Sequence, residues 1–144
     1  KKLSEVFDKL EELKAKGKVT LDEEMDYFMS PSLENKHEES LKAGEYTLYG
    51  FVDDFALIGN EKSFGFVEKL RLGEGVNAEN LKFEGEKIKP DEKQELLEAP
   101  NVESKKLREL KKNSSLSAYY RLGDFAFVKL GEGADSVYGF IKKN

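Results

Sequence analysis

Tyr49-Gly50-Phe51-Val52 is the first of four copies of one pattern, which reads aromatic, small, aromatic, β-branched. The other copies are Phe64-Gly65-Phe66-Val67, Phe125-Ala126-Phe127-Val128 and Tyr138-Gly139-Phe140-Ile141. Successive side chains point to opposite faces of a β-strand, so each copy places both aromatic rings on one face. The pattern predicts four strands of one sheet with an aromatic face. It also predicts that the small positions let a helix or an opposing strand approach closely.

Turn-forming residues delimit the strands around these copies. Gly123-Asp124 has the composition of a two-residue hairpin turn, Asp53-Asp54 is also a turn sequence, and Gly73-Glu74-Gly75 turns the chain after the second copy. We predict strands over residues 45–52, 55–58, 63–72, 81–88, 116–122, 125–130 and 136–142.

Three other regions have the spacing or the end signals of helices. Residues 2–16 carry apolar side chains at helical intervals and stop at Gly17, which predicts an amphipathic helix. Thr20-Leu21-Asp22-Glu23 has the form of a capping box, which predicts a short second helix to Met29. Ser30-Pro31-Ser32 breaks this helix, and Ser32 can cap a weaker third helix through Leu41. Pro90 opens a helical insert at about 91–113.

The expected fold class is α+β in a single domain of 144 residues, with a helical segment at 1–44 and a β-rich core at 45–144. Two architectures remain open for the core. One is an antiparallel β-sheet covered by helices. The other is a small barrel like the oligonucleotide/oligosaccharide-binding (OB) fold, which carries a helix between its third and fourth strands.

The strand copies are irregularly spaced along the chain, whereas repeat architectures need a fixed period. We therefore interpret the copies as one local strand sequence that recurs, and not as the result of a duplication. The segment from Phe125 to Lys143 resembles the hairpin of bacterial tryptophan-glycine repeats, with Tyr138 in the place of the tryptophan. The resemblance covers only this hairpin and implies no site or activity.

Composition excludes several classes of function. The chain has 24 basic and 29 acidic side chains, and its lysine doublets are dispersed among acids, so no nucleic acid is expected as a partner. It has no cysteine, which removes disulfides, thiolate catalysis and cysteine-type zinc sites. No apolar run approaches the ~20 residues of a transmembrane segment. The chain begins with Lys1-Lys2 and not with Met. An extracytoplasmic location with a cleaved leader or a lipid anchor is therefore as open as a cytoplasmic one, and the oligomeric state is open as well.

Few residues have the grouping that catalysis requires. His37, the single histidine, lies in the most polar part of the chain, so we expect it to be exposed to solvent. Asp53 and Asp54, with Glu61 and Glu68 nearby, could supply paired carboxylates for acid–base chemistry or for calcium, but turn-forming aspartates account for the same pattern.

Glu74 and Glu132 each lie between glycines, which expose the carboxylate, and they could converge on a cation if both loops lay at one end of a sheet. Ordinary hairpin loops explain the same residues. We expect no catalytic residue, no cofactor and no metal.

Tyrosines give the one candidate for a binding surface. The first aromatic of each copy is Tyr or Phe, whereas the third position is Phe in every copy. A position that accepts a hydroxyl can reach water, so the aromatic face should change from a dry row to a wetter rim near Tyr49 and Tyr138. Tyr119 or Tyr120, whichever points the same way, would extend this rim. The four tyrosines are the predicted ligand-binding residues, and core packing is the alternative role for them.

These observations favour a non-catalytic recognition or structural module, such as a bacterial cell-surface or periplasmic domain that binds a protein or a peptide. Two alternatives belong to other classes. One is an OB-like nucleic-acid-binding domain, and the other is a carboxylate-dependent hydrolase.

Overall fold

The computed structural model describes residues 1–72 and 81–143. Within these ranges it contains one short helix, α1 (Leu3–Val6), and three 3₁₀ turns, at Phe7–Lys9, Lys69–Arg71 and Gly133–Asp135. The strands are β1 (Gly17–Leu21), β2 (Met25–Phe28), β3 (Lys36–Leu41), β4 (Gly44–Val52), β5 (Phe55–Gly59), β6 (Phe64–Glu68), β7 (Glu86–Ile88), β8 (Gln94–Leu97), β9 (Lys106–Leu110), β10 (Leu116–Leu122), β11 (Phe125–Leu130) and β12 (Val137–Lys142). The turn predicted at residues 73–75 lies outside the described residues.

The strands form two antiparallel sheets with the same topology. The first sheet has the order β1-β4-β5-β6-β2-β3 and the second has the order β7-β10-β11-β12-β8-β9. The registers also correspond: Gly59 lies between Thr47 and Phe64 in the first sheet, and Lys129 lies between Ser117 and Tyr138 in the second. We interpreted the copies as a recurring local sequence and not as a duplication. That interpretation was wrong, because the whole six-strand arrangement occurs twice.

The chain divides into two compact units, and each contains one sheet. The first-sheet unit is Lys14–Phe83, and the second-sheet unit combines Lys1–Leu13 with Glu84–Asn144. The single-domain organisation stays a prediction, which one cooperative unfolding transition would support.

The segment that precedes each set of strands belongs to the other unit. In the second-sheet unit, Arg121 of β10 donates its backbone N–H to Glu11, and Leu13 donates its N–H to Arg121. In the first-sheet unit, Phe83 donates its N–H to the carbonyl of Phe51, at the equivalent place on β4. These two segments, which we call the leading segments, are thus exchanged, because each one pairs with the set of strands that it does not directly precede.

The predicted N-terminal helix is only partly correct. Leu3, Val6, Phe7 and Leu10 are buried in one core cluster, as the spacing indicated. The helix nevertheless ends early, because Leu10 has an extended backbone and the residues after it bond to Arg121. Pairing with the sheet has overridden the local helical preference.

The second and third predicted helices are strands β1, β2 and β3. In β2 the consecutive residues Tyr27 and Phe28 are both buried. Burial on both faces removes the alternation that marks a half-exposed strand and makes the apolar spacing look helical. Strand β3 is an edge strand, and charged residues are common at exposed sheet edges. The same charged residues gave no strand signal in the sequence.

The predicted helical insert at 91–113 is also wrong, since this region contains β8 and β9. The reasons are the same: β8 contains the consecutive buried residues Leu96 and Leu97, and β9 is the charged edge of the second sheet. The fold is therefore dominated by antiparallel sheet and is not α+β with N-terminal helices. Each sheet has six strands and ends in two edge strands, β1 and β3 in the first sheet and β7 and β9 in the second. The OB-like prediction required a five-stranded barrel.

The strands around the aromatic pattern are confirmed to within a few residues, except that the second copy's strand ends at Glu68 and not at residue 72. The prediction that the four copies lie in one sheet was wrong, because β4 and β6 belong to the first sheet and β11 and β12 to the second. The small positions do allow close approach. A Cβ on Gly65 would lie 2.8 Å from the carbonyl oxygen of Phe28, and a Cβ on Gly139 would lie 2.7 Å from that of Leu97. Phe28 and Leu97 end the equivalent strands β2 and β8, so the same contact occurs in both sheets.

Candidate functional site

In each sheet a β-bulge occurs at a tyrosine. The register of β4 shifts between Leu48 and Gly50, and that of β10 shifts between Ala118 and Tyr120. The residue at each shift is a tyrosine whose ring contacts the first aromatic of the pattern two strands away. Tyr49 meets Phe64 with ring centroids 5.4 Å apart, and Tyr119 meets Tyr138 at 6.5 Å.

The bulge in β10 also changes the expectation for Tyr119 and Tyr120. Strict alternation would turn one of the two rings away, but both lie near Phe127, at centroid distances of 6.3 Å and 5.0 Å. Tyr120 stacks on Phe127 at an interplanar angle of 15° and is 1% exposed. Its burial raises the pKa of the phenol far above the usual range. Tyr120 is thus part of the core in the second-sheet unit.

The predicted aromatic face is only partly present in the first sheet, because Phe51 pairs with Ala56 and belongs to the core cluster of Val67, whereas Phe66 pairs with Leu57 on the other face. The third aromatic is buried in all four copies, at Phe51, Phe66, Phe127 and Phe140. Among the first aromatics, Phe64 is 42% exposed, Tyr49 and Phe125 are half-buried, and Tyr138 is only 8% exposed. The first aromatic of β6 is therefore much more exposed than that of the equivalent strand β12, and the prediction of a wetter rim at Tyr138 was wrong.

Lys129 covers the aromatic pair of the second sheet. Its ammonium lies 5.8 Å from the ring centroid of Tyr138, within the range of a cation–π contact. The same ammonium is 3.8 Å from the carboxylate of Glu132, and the side chain of Lys129 is only 16% exposed. Glu132 also accepts a hydrogen bond from Lys87 at 2.7 Å, which together with the lysine charges lowers the pKa of its carboxyl group.

Gly59 occupies the equivalent position in the first sheet and covers nothing. An added Cβ there would lie 3.0 Å from a ring carbon of Phe64 and 3.0 Å from the carbonyl oxygen of Ser63. A side chain on Gly59 would therefore crowd the edge of the Phe64 ring. Because this position is a glycine, it supplies no side chain to cover the pair Tyr49–Phe64.

The open pair adjoins a surface cleft of about 480 Å³, which we call the Tyr49 cleft. Its walls come from the ends of β1, β4 and β5 and from the loop after β5: Lys18, Glu45, Tyr46, Thr47, Tyr49, Gly59, Asn60 and Glu61. This volume is within the range of small-ligand sites, and the cleft opens widely to solvent.

Local hydrogen bonds hold the walls of the Tyr49 cleft in place. The side chain of Asn60 accepts bonds from the backbone N–H groups of Lys62 and Ser63, both at 2.8 Å, which fixes the loop. The hydroxyl of Tyr46 donates to the carbonyl of Lys42 at 2.7 Å, and burial raises the pKa of this phenol. Lys18 bonds to Glu45 at 3.1 Å across the rim.

His37 does not have the exposed position that we expected. Its ring is half-buried and stacks on Tyr27, with centroids 3.9 Å apart and an interplanar angle of 12°. It lines a second cleft with Met29, Lys36 and two glutamates. The cleft is also lined by the phenol of Tyr27, so its polar groups are carboxylates, a lysine, a phenol and the imidazole.

The other predicted acids are not brought together. Asp53 and Asp54 form the turn between β4 and β5, where Asp53 has a positive φ of 52° and the carbonyl of Asp54 accepts the N–H of Lys69. Glu132 pairs with two lysines, and Glu74 lies outside the described residues. Over residues 1–72 and 81–143, no group of three acidic or histidine side chains is arranged to hold a metal ion.

Sequence reasoning predicted Tyr49 as a site residue. It did not predict that Gly59 and Lys129 occupy equivalent positions, or that the loop acid Glu61 belongs to the same site as Tyr49. The missing signal was the alignment of the two strand sets, in which Gly59 of one set has the position that Lys129 has in the other. No helix within the described ranges is long and apolar enough to cross a membrane. Searches of protein-family models, curated proteins and solved structures found nothing that matches this chain.

Proposed function

We propose that the protein is a non-catalytic recognition module that binds a segment of a partner protein or a peptide at the Tyr49 cleft. The observation that carries this proposal is the exposed pair Tyr49–Phe64. Phe64 is one of the large apolar side chains that remain well exposed, although it belongs to a pattern that is otherwise core. Rigid aromatic rings give contact area at a low cost in conformational entropy, which is why they are frequent at the centre of protein interfaces.

The surroundings of the pair suit a peptide. Main-chain and side-chain polar groups of the loop after β5 border the rings, and Asn60 already holds this loop in one conformation. A preformed rim lowers the ordering cost of binding. The bacterial cell-surface or periplasmic location remains a proposal as well, and the cleft itself does not depend on it.

No comparable observation favours the alternatives. Two acids and one lysine line the Tyr49 cleft, so its formal charge disfavours a phosphate backbone. The sheets do not have the strand arrangement on which the OB-like alternative depended. The hydrolase alternative needs two converging carboxylates, and Glu45, one of the two in the cleft, is engaged by Lys18.

A display experiment tests the proposed function. A random-peptide library would be selected on the wild-type protein, and the enriched peptides would be synthesised and titrated against Tyr49→Ala and Phe64→Ala. Both rings lie at the surface or half-exposed, so these variants should keep the fold. We expect each substitution to weaken binding by about tenfold or more, as for an aromatic interface anchor.

The matched control is Val102→Ala, which truncates another exposed apolar side chain in the second-sheet unit. It should leave the affinity unchanged. If no peptide is enriched, or if the enriched peptides bind Tyr49→Ala and Phe64→Ala as well as they bind the wild type, the proposed function is wrong.

A further inference from the structure

We propose that the Tyr49 cleft binds a lysine side chain of the partner, in the place that Lys129 takes in the second sheet. This inference rests on the proposed function and names the chemistry of the ligand. The molecule contains two versions of one aromatic pair, and one of them is already occupied. The occupied version shows which group this arrangement of rings accepts.

The correspondence between the two places is fixed by strand register. Lys129 lies between Ser117 and Tyr138, with its ammonium above the Tyr138 ring. Gly59 lies between Thr47 and Phe64, so the ring that a lysine would cover in the first sheet is the exposed ring of Phe64. The chain cannot supply this lysine from the equivalent position, because glycine has no side chain.

Charge in the cleft agrees with a cationic guest. In the second sheet the loop after β11 provides Glu132 as the partner of Lys129. In the first sheet the loop after β5 provides Glu61, which lines the cleft and is exposed. Glu45 is paired with Lys18, so the two acids and one lysine of the lining leave one negative charge in excess.

The contact of a lysine with the aromatic rings and its contact with the carboxylate of Glu61 also complement each other. The lysine stem is apolar and can lie along the rings, while its ammonium can reach both a ring face and a carboxylate. Neutral apolar side chains would satisfy the rings but leave the charge of Glu61 without a partner. An acidic side chain would be repelled by it.

The experiment compares synthetic octapeptide pools with blocked ends that differ at one central position, which is lysine in one pool and norleucine in the other. All flanking positions are randomised identically. Norleucine keeps the apolar stem and removes the charge. Binding is followed by the backbone amide shifts of Gly59 and Asn60 in NMR spectra of the whole chain. We expect the lysine pool to bind about tenfold more tightly, as for a cation–π contact combined with an exposed ion pair.

A protein variant provides the second measurement. Glu61→Gln should weaken binding of the lysine pool by about twofold to fivefold and leave the norleucine pool unaffected. Glu98→Gln is the matched control, because it makes the same charge change at an exposed site in the second-sheet unit and should alter neither pool.

The outcomes separate this inference from the proposed function. Tighter binding of the lysine pool that depends on Glu61 supports both. Equal binding of the two pools at the Gly59 and Asn60 amides overturns the lysine inference and leaves the proposed function standing. No shift of these amides with either pool, together with no peptide from the display selection, overturns both.

Discussion

Gly139 offers the sharpest test of how the strands of each sheet approach one another. An alanine Cβ at this position would lie 2.7 Å from the carbonyl oxygen of Leu97, about 0.7 Å short of the 3.4 Å at which ordinary contact begins. It would also lie 2.9 Å from Cγ of Leu96, which is fully buried. Strand β8 would have to move away from β12, although Phe140 and Leu97 are the paired residues that join them.

The expected cost follows from this overlap. Overpacking a close-packed interior costs about 1–3 kcal/mol, whereas glycine-to-alanine changes without strain stabilise by about 0.4–1 kcal/mol. We therefore expect Gly139→Ala to destabilise the protein by about 1–2 kcal/mol, and Gly139→Val by more. With a urea m-value of about 2 kcal/mol/M, the middle of the usual range for small proteins, the unfolding midpoint should fall by about 0.5–1 M.

Gly17→Ala is the matched control for this substitution. Gly17 is also a strand residue, but a Cβ there would meet nothing within 4 Å. Urea unfolding followed by circular dichroism should give a midpoint equal to or above that of the wild type. If Gly139→Ala unfolds at the same urea concentration as Gly17→Ala, the close approach of β8 to Gly139 is not real.

Three further predictions concern the core, the pH dependence and the partners. Leu3→Ala should cost about 2–5 kcal/mol, because Leu3 is fully buried, and should speed amide exchange in β10–β12 more than in β4–β6, as measured by hydrogen exchange. Burial raises the pKa of Tyr120 above its ordinary 10.0, so the stability linked to this phenol is intact below that pH and is lost as the pH rises above it. Tyr120→Phe should therefore flatten the alkaline fall of the urea midpoint, and an unchanged slope would contradict the burial. The protein should show no appreciable affinity for single-stranded nucleic acid at physiological salt, and submicromolar, salt-sensitive binding in a mobility assay would contradict this.

The sequence predicted the strands that carry the aromatic pattern, because their two faces are both apolar and their turns are marked. Leu116–Leu122 and Phe125–Leu130 have the predicted bounds, and Gly123, with a φ of 61°, begins the turn between them. The pattern predicted both Tyr49 and Tyr138 at a wetter rim, but only Tyr49 is half-buried and Tyr138 is buried. These features depend on local sequence alone.

The missed features depend on information that lies far away in the chain. Strands β3 and β9 are rich in lysine and glutamate because they are edges, and those residues also favour helices. Strands β2 and β8 contain consecutive buried apolar residues, such as Leu96 and Leu97, where a half-exposed strand would alternate. Lys129 could be recognised as a counterpart of Gly59 only after the two sheets had been superimposed by register.

The exchanged leading segments have a consequence for the order in which the protein can fold during its synthesis. The first-sheet unit, Lys14–Phe83, is continuous and can be complete while the ribosome is still making β7 to β12. The first thirteen residues are made before it but bond to Lys89, directly after β7, and to Arg121 of β10, so they must wait for the last strands. During that interval the apolar face of Leu3, Val6 and Phe7 has no native cover, as in other nascent chains that expose apolar surface. A ribosome that pauses while it makes the last strands would therefore present a folded sheet preceded by an exposed apolar segment.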